Sequence, residues 1–289
     1  MAAFDKLIEV AELADLLDTG NCRAVDCRFN LMAPDEGREQ YLAGHIPGAV
    51  YADLDKDLAG PVDVSSGRHP LPEVAVFRST LENFGIGADT QVVAYDQSSG
   101  ALASRLWWML KWVGHRKVAV LNGGIKAWTA AGLPLETDLP DVQPAKLDAA
   151  ANDAMTATTE EISQSLGQDR FALVDARDAA RFDGRSEPID TVAGHIPGAL
   201  NLPFSRCVDK DGRWKSAGEL RREWQAVLGR EAPPEVVVMC GSGVTACHLA
   251  LAAEVAGMPP PRLYAGSWSE WIRDPARPVA GAGRPADSR

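Results

Sequence analysis

An α/β fold of two tandem domains, each a parallel sheet flanked by helices, is predicted by three observations. The stretch Ala43-Gly44-His45-Ile46-Pro47-Gly48-Ala49 recurs letter for letter at 193–199, an offset of 150 residues. Val25-Asp26 with Arg28 matches Val174-Asp175 with Arg177, and Gly123-Gly124 with Trp128 matches Gly266-Ser267 with Trp271. Within each half, short β-branched runs alternate with stretches of helical length, the pattern of strand–helix–strand units that build parallel sheets. One repeat of a long unit means two similar domains rather than a solenoid.

In the first half, Ala24–Asp26, Val92–Tyr95 and Val118–Leu121 read as buried strands, with a helix over Leu102–Val113. In the second, Ala172–Asp175 and Val236–Met239 read as strands and Thr245–Ala256 as a helix. The repeat offset falls to 143 at the glycine pair, so the first half carries extra residues around 56–75. There Ser65-Ser66-Gly67-Arg68-His69 reads as a loop. The resulting division is an N-terminal domain over 1–137, a linker over 138–152 and a C-terminal domain over 153–282; two prolines and three aspartates with little periodicity mark Thr137–Ala151 as linker. The tail from Gly281 to Arg289 is small and polar and reads as a disordered terminus.

The chain has 289 residues, 46% of them hydrophobic, and a net charge of −11. That size supports two ordinary domains, and the charge argues against a nucleic-acid surface while permitting a small anionic substrate in a local pocket. No apolar run approaches the roughly 18–20 residues of a spanning helix. Asp5, Glu9, Glu12, Asp15 and Asp18 argue against a secretory h-region or an acid-poor transit peptide in the first twenty residues. The expectation is a cytoplasmic protein that binds neither membrane nor nucleic acid. Cys22, Cys27, Cys207, Cys240 and Cys247 are too few and scattered for a disulfide framework, and Cys22 and Cys27 lack the partner pair of a zinc site.

Ligands of parallel sheets bind at the carboxyl ends of strands, which directs attention to the residues after Tyr95 and Met239. After Met239 comes Cys240-Gly241-Ser242-Gly243-Val244-Thr245, running into a helix. Glycines let such a loop curl, and its end at a helix N-terminus collects unpaired N–H groups and positive dipole. A cysteine there should be a thiolate nucleophile whose loop can also cradle a persulfide anion. A structural buried cysteine is the bland alternative. A cysteine phosphatase would need an arginine six residues after the cysteine to clamp phosphate, and that residue is Ala246. In the first half the matching position is Asp96, which cannot carry a persulfide, so that copy is catalytically silent.

The two Gly-His-Ile-Pro-Gly-Ala motifs, the Cys240–Thr245 loop, Gly266-Ser267-Trp268-Ser269-Glu270-Trp271 and Ser104-Arg105-Leu106-Trp107-Trp108 resemble the tandem-domain rhodanese family, in its 3-mercaptopyruvate sulfurtransferase type. The resemblance implies sulfur transfer through a Cys240 persulfide, without metal or organic cofactor. The donor would be 3-mercaptopyruvate and the acceptor a thiol, cyanide or thioredoxin. Thiosulfate-specific relatives carry basic residues directly after the cysteine, whereas Gly241 and Ser242 are neutral; a thiosulfate:cyanide transferase and a noncatalytic sulfide-sensing module are the alternatives. The resemblance further implies that Ser242, His69 and Asp55 form a proton relay, that Gly241, Gly243, Val244 and Thr245 line the substrate cradle, and that Arg181 binds the donor carboxylate. A second arginine of the family is missing, since Ile189 stands in its place, and Arg185 is the candidate substitute.

The duplicated His45 and His195 read as structural, bonding backbone or the nearby Asp26 and Asp175. Asp26 with Arg28 and Asp175 with Arg177 read as ion pairs at strand ends. Trp107, Trp108 and Trp112 read as packing residues, and Cys247 as facing the core.

Overall fold

Val, Ala and Leu fill the central strands on both faces, as in sheets covered by helices on each side. The computed structural model describes residues 4–168, 170–229 and 235–281; residues 282–289 of the polar tail lie outside that range. Two compact units result. Unit 1 comprises residues up to Gly60, Leu71–Asn152 and Val208–Trp214; unit 2 comprises Pro61–Pro70, Asp153–Cys207 and residues from Lys215 on.

In unit 1, strands β1 (Leu7–Ile8), β2 (Cys22–Asp26), β3 (Val50–Tyr51), β4 (Gln91–Tyr95) and β5 (Val118–Leu121) pair in parallel in the order β1-β5-β4-β2-β3. Helices α1 (Val10–Leu17), α2 (Glu36–Ala43), α3 (Val74–Asn83), α4 (Ala103–Trp112) and α5 (Gly124–Ala130) connect them. Ile8, Leu13, Ile46, Val93, Leu121 and Trp128 meet in one core cluster. Trp107, Trp108 and Trp112 of α4 are all buried, and the Trp107 indole N–H donates to Asp5 O at 2.9 Å.

In unit 2, β6 (Ala172–Asp175), β7 (Leu200–Asn201), β8 (Val236–Met239) and β9 (Arg262–Leu263) pair in parallel in the order β7-β6-β8-β9, repeating β3-β2-β4-β5. Its helices are α6 (Thr159–Ser165), α7 (Ala179–Phe182), α8 (Ala217–Leu228), α9 (Thr245–Val255) and α10 (Ser267–Trp271). Thr158 with Glu161 and Ser216 with Glu219 form capping boxes that start α6 and α8. No helix among the described residues is long and apolar enough to cross a membrane.

The units differ from the boundaries expected of the sequence in two segments. Residues 61–70, from the extra loop of the first repeat, pack in unit 2, and Val208–Trp214 of the second repeat packs in unit 1. In the latter, Trp214 N–H donates to Asn122 Oδ1 at 2.9 Å and Arg213 pairs with Glu9 at 3.2 Å. Residues 138–152 are a strap on unit 1 rather than a free tether. Ala145 N–H donates to Glu82 O, Asn152 N–H to Trp112 O, and Leu147 is buried; these backbone groups take helix-end partners that leave little slack.

The His-Ile-Pro-Gly turns are structural in both copies. His45 stacks on Tyr41 with Nδ1 2.8 Å from Tyr41 O, and His195 stacks on Phe182 with Nδ1 2.8 Å from Phe182 O. The carbonyls come from the preceding helix, not from Asp26 or Asp175. Those carboxylates are taken by Arg28 and Arg177, each at 2.6 Å.

Candidate active site

Cys240 directly follows β8, and the loop from Gly241 to Val244 delivers the chain into α9. Backbone contacts hold it from below: Trp268 N–H donates to Cys240 O at 3.0 Å and Ser269 N–H to Gly241 O at 2.9 Å. Gly243 has φ 76°, and a β-carbon there would stand 2.4 Å from Ala265 O, so only glycine closes this turn. The curl points the Gly243 N–H at Cys240 Sγ, 3.1 Å away. Val244 and Thr245 complete the path to the positive end of α9. Cys247, buried one turn in, donates its thiol to Gly243 O at 3.2 Å.

Ser267 was not singled out from the sequence. Its Oγ accepts the Cys240 N–H at 3.1 Å and donates to Tyr264 O at 2.9 Å. Among the described residues it is the one non-glycine with positive φ, at 55°. The signal was present in the repeat, where the matching residue is Gly124 with φ 57°.

His69 reaches this site because residues 61–70 pack in unit 2. Its Nδ1 lies 2.7 Å from Ser242 Oγ, and both residues are buried. Arg68 N–H donates to Ser269 Oγ at 3.0 Å, and Arg273 Nε donates to Ser66 O at 3.2 Å, fastening the loop. Asp55 lies in unit 1, in the turn after β3, where its N–H donates to Asp53 Oδ1 at 3.0 Å. Partial burial and the Asp53 charge push the Asp55 carboxyl above the usual carboxylate range.

Charged side chains form a row beside the loop. Arg68 pairs with Asp190, which pairs at 2.9 Å with Arg181; Arg181 pairs at 2.8 Å with Glu187, which lies 3.4 Å from Arg177. Burial opposes the Glu187 charge, but the hydrogen bonds from Arg181 and from the Asp190 and Ile189 N–H groups outweigh it, and its carboxyl is held below the usual range. Burial likewise opposes the Arg177 charge, and Asp175, Glu187 and Cys240 more than offset it. A β-carbon on Gly241 would stand 3.1 Å from Arg68 Nη2 and 3.5 Å from Arg181 Nη2, so two guanidinium groups border the residue after the cysteine. Arg185 does not share that position. It pairs with its neighbour Asp183 at 2.8 Å with its side chain 60% exposed, because α7 ends at Phe182 and turns it to the surface.

The other thiols differ in setting. Burial pushes Cys22 and Cys207 up to about 12 and Cys27 well above its ordinary value, so they stay neutral thiols at neutral pH. In the other copy, Asp96 fills the cradle: its carboxylate accepts the N–H groups of Ser98, Gly100, Leu102 and Ala103 at 2.9–3.3 Å. An internal anion thus occupies the place where unit 2 presents Cys240.

The model of the rhodanese-like domain matches residues 9–131 and 158–274. The chain is 45% identical over 277 residues to a probable 3-mercaptopyruvate sulfurtransferase of Pseudomonas aeruginosa, covering 95% of this chain and 98% of the relative. It is 38% identical over 257 residues to the thiosulfate sulfurtransferase of Bos taurus, covering 86% and 84%. Among solved structures, the 3-mercaptopyruvate sulfotransferase SseA of Escherichia coli is similar with a TM-score of 0.81 and 30% identity, covering 92% of this chain and 100% of that one.

Proposed function

The chain belongs to the rhodanese family, and from that premise we propose that it is a sulfurtransferase that takes sulfur from 3-mercaptopyruvate onto Cys240 as a persulfide. The observation that carries the reading is the Gly243 N–H aimed at Cys240 Sγ at 3.1 Å, inside a loop that ends on a helix N-terminus. Such a loop stabilises negative charge on sulfur both before attack and after transfer.

The Cys240 thiolate attacks the donor sulfur, the carbon–sulfur bond breaks, and its electron pair leaves as the enolate of pyruvate. Ser242 and His69, 2.7 Å apart, hydrogen-bond the donor carbonyl and deliver the proton that the enolate needs. The N–H groups of the Gly241–Thr245 loop hold the persulfide until an acceptor (cyanide, a small thiol or a reduced thioredoxin) attacks the outer sulfur and regenerates the Cys240 thiolate. No metal or organic cofactor takes part in these steps, and a cytoplasmic setting with reduced thiols suits the acceptor half-reaction.

Donor choice rests on neutral Gly241 and Ser242 and on the similarity to the P. aeruginosa relative. Thiosulfate is the second reading, favoured by the bovine relative. Intact-mass measurement after adding 3-mercaptopyruvate tests the proposal: one sulfur atom is gained by the wild type and none by Cys240→Ser. A wild type that gains nothing from either donor overturns it, and a clearly higher kcat/KM for thiosulfate reassigns the donor.

A further inference from the structure

We infer that Arg68, brought into unit 2 by the loop from the first repeat, receives the carboxylate of the sulfur donor through its Nε/Nη2 edge. This rests on Cys240 being the sulfur carrier. Arg68 Nη1 is committed to Asp190, yet Arg68 Nε is buried and has no hydrogen-bond partner among the described residues. A buried donor without an acceptor is uncommon and calls for a ligand or a cost. Nη2 is the atom nearest the open face of Gly241, one residue from the nucleophile.

The protein shows elsewhere what this edge of arginine binds. Arg28 and Arg177 each grip an aspartate through Nε and Nη2 at 2.6–2.9 Å, as a planar fork grips a carboxylate. Arg181, the arginine that the family resemblance implies for the donor, has that edge filled already. Its Nε donates to both Glu187 oxygens at 3.0 and 3.1 Å, and its Nη2 to Asp190 at 2.9 Å. Arg68 therefore offers the open bidentate edge, while Arg181 adds charge from across Gly241. Asp190 bridges the two guanidinium groups and holds Arg68 in place. Ile189, where the second arginine of the family is missing, leaves no gap in this arrangement, and Arg185 has no part in it.

The experiment compares Arg68→Ala, Arg68→Lys and Arg185→Ala in steady-state kinetics with 3-mercaptopyruvate. It adds calorimetric binding of pyruvate, which carries the carboxylate but no sulfur, to each change in the Cys240→Ser background. Lysine keeps a charge for Asp190 but lacks the fork, so Arg68→Lys guards against loss of the fold. The expected result is a KM raised at least about tenfold in both Arg68 variants with kcat changed less than about threefold. Pyruvate affinity falls by a similar factor, and Arg185→Ala behaves as wild type. Unchanged KM and pyruvate affinity in Arg68→Lys and Arg68→Ala overturn the inference, as does a fall in kcat alone, which would make Arg68 only a support for His69. Pyruvate binding reads out Arg68 even if the wild type gains no sulfur, so failure of the inference and failure of the sulfur-carrier reading are separable.

Discussion

Ser267 holds the Cys240 backbone N–H on its Oγ while its own backbone sits at φ 55°, a conformation that its counterpart Gly124 adopts without a side chain. A β-carbon in the left-handed region costs roughly 1 kcal/mol or more, so the second repeat keeps a strained residue where the first keeps glycine. Ser267→Ala loses the hydrogen bond and retains the strain, whereas Ser267→Gly loses the bond and relieves it. Thermal unfolding should rank wild type above Ser267→Gly and Ser267→Gly above Ser267→Ala, the two variants differing by about 1 kcal/mol. Equal stability of the two variants would remove the strain argument.

The two outer glycines of the loop should separate stability from binding. Gly243→Ala places a methyl 2.4 Å from Ala265 O at φ 76° and should cost about 3 kcal/mol in stability. Gly241→Ala meets only side-chain atoms, the guanidinium groups of Arg68 and Arg181 at 3.1 and 3.5 Å, and no backbone. It should melt within a few degrees of wild type while donor KM rises, by calorimetry and initial rates respectively.

His69→Asn and Ser242→Ala should slow the donor half-reaction and spare the acceptor half. Loss of a positioned acid–base group typically costs about 10²-fold or more. A rapid-mixing measurement of pyruvate release should show that loss, while cyanide discharge of preloaded enzyme stays near wild type. Equal damage to both halves would assign these residues to holding the loop.

Glu187 supplies a pH dependence of known sign. Its folded carboxyl titrates below the ordinary value of about 4.3 because Arg181 and two N–H groups favour the charged form over the opposing effect of burial. Its stabilising contribution is fully present above the unfolded pKa and disappears as pH falls through the lower folded value. The melting-temperature gap between wild type and Glu187→Gln should therefore be constant near neutrality and close in the acid range. A gap that widens toward low pH would reverse the assignment.

Much of this was legible because the chain is written twice. Matching Val25-Asp26 with Val174-Asp175 aligned the central strands, and the same alignment set the Cys240 loop against the loop that Asp96 fills. The strand from Ala172 and the helix from Thr245 fall where the apolar runs and loop glycines predict them. What escaped depends on contacts between residues far apart in sequence. No local pattern tells that Arg68 stands over Gly241, or that Ser267 reaches the Cys240 N–H. Arg185 was favoured for its nearness in sequence to Arg181, and one helix end turned it away toward Asp183. The deviation of Ser267 from Gly124 was visible but has meaning only with the φ angle attached.

The loop carrying Arg68 and His69 is encoded in the first repeat and folds with the second. A polypeptide cut at the repeat boundary, beginning at Asp153, would hold Cys240 without either residue. The first repeat is therefore not dispensable to the second, because it encodes part of that unit's fold. Dividing the chain at that point would separate Cys240 from the segment that completes its own unit.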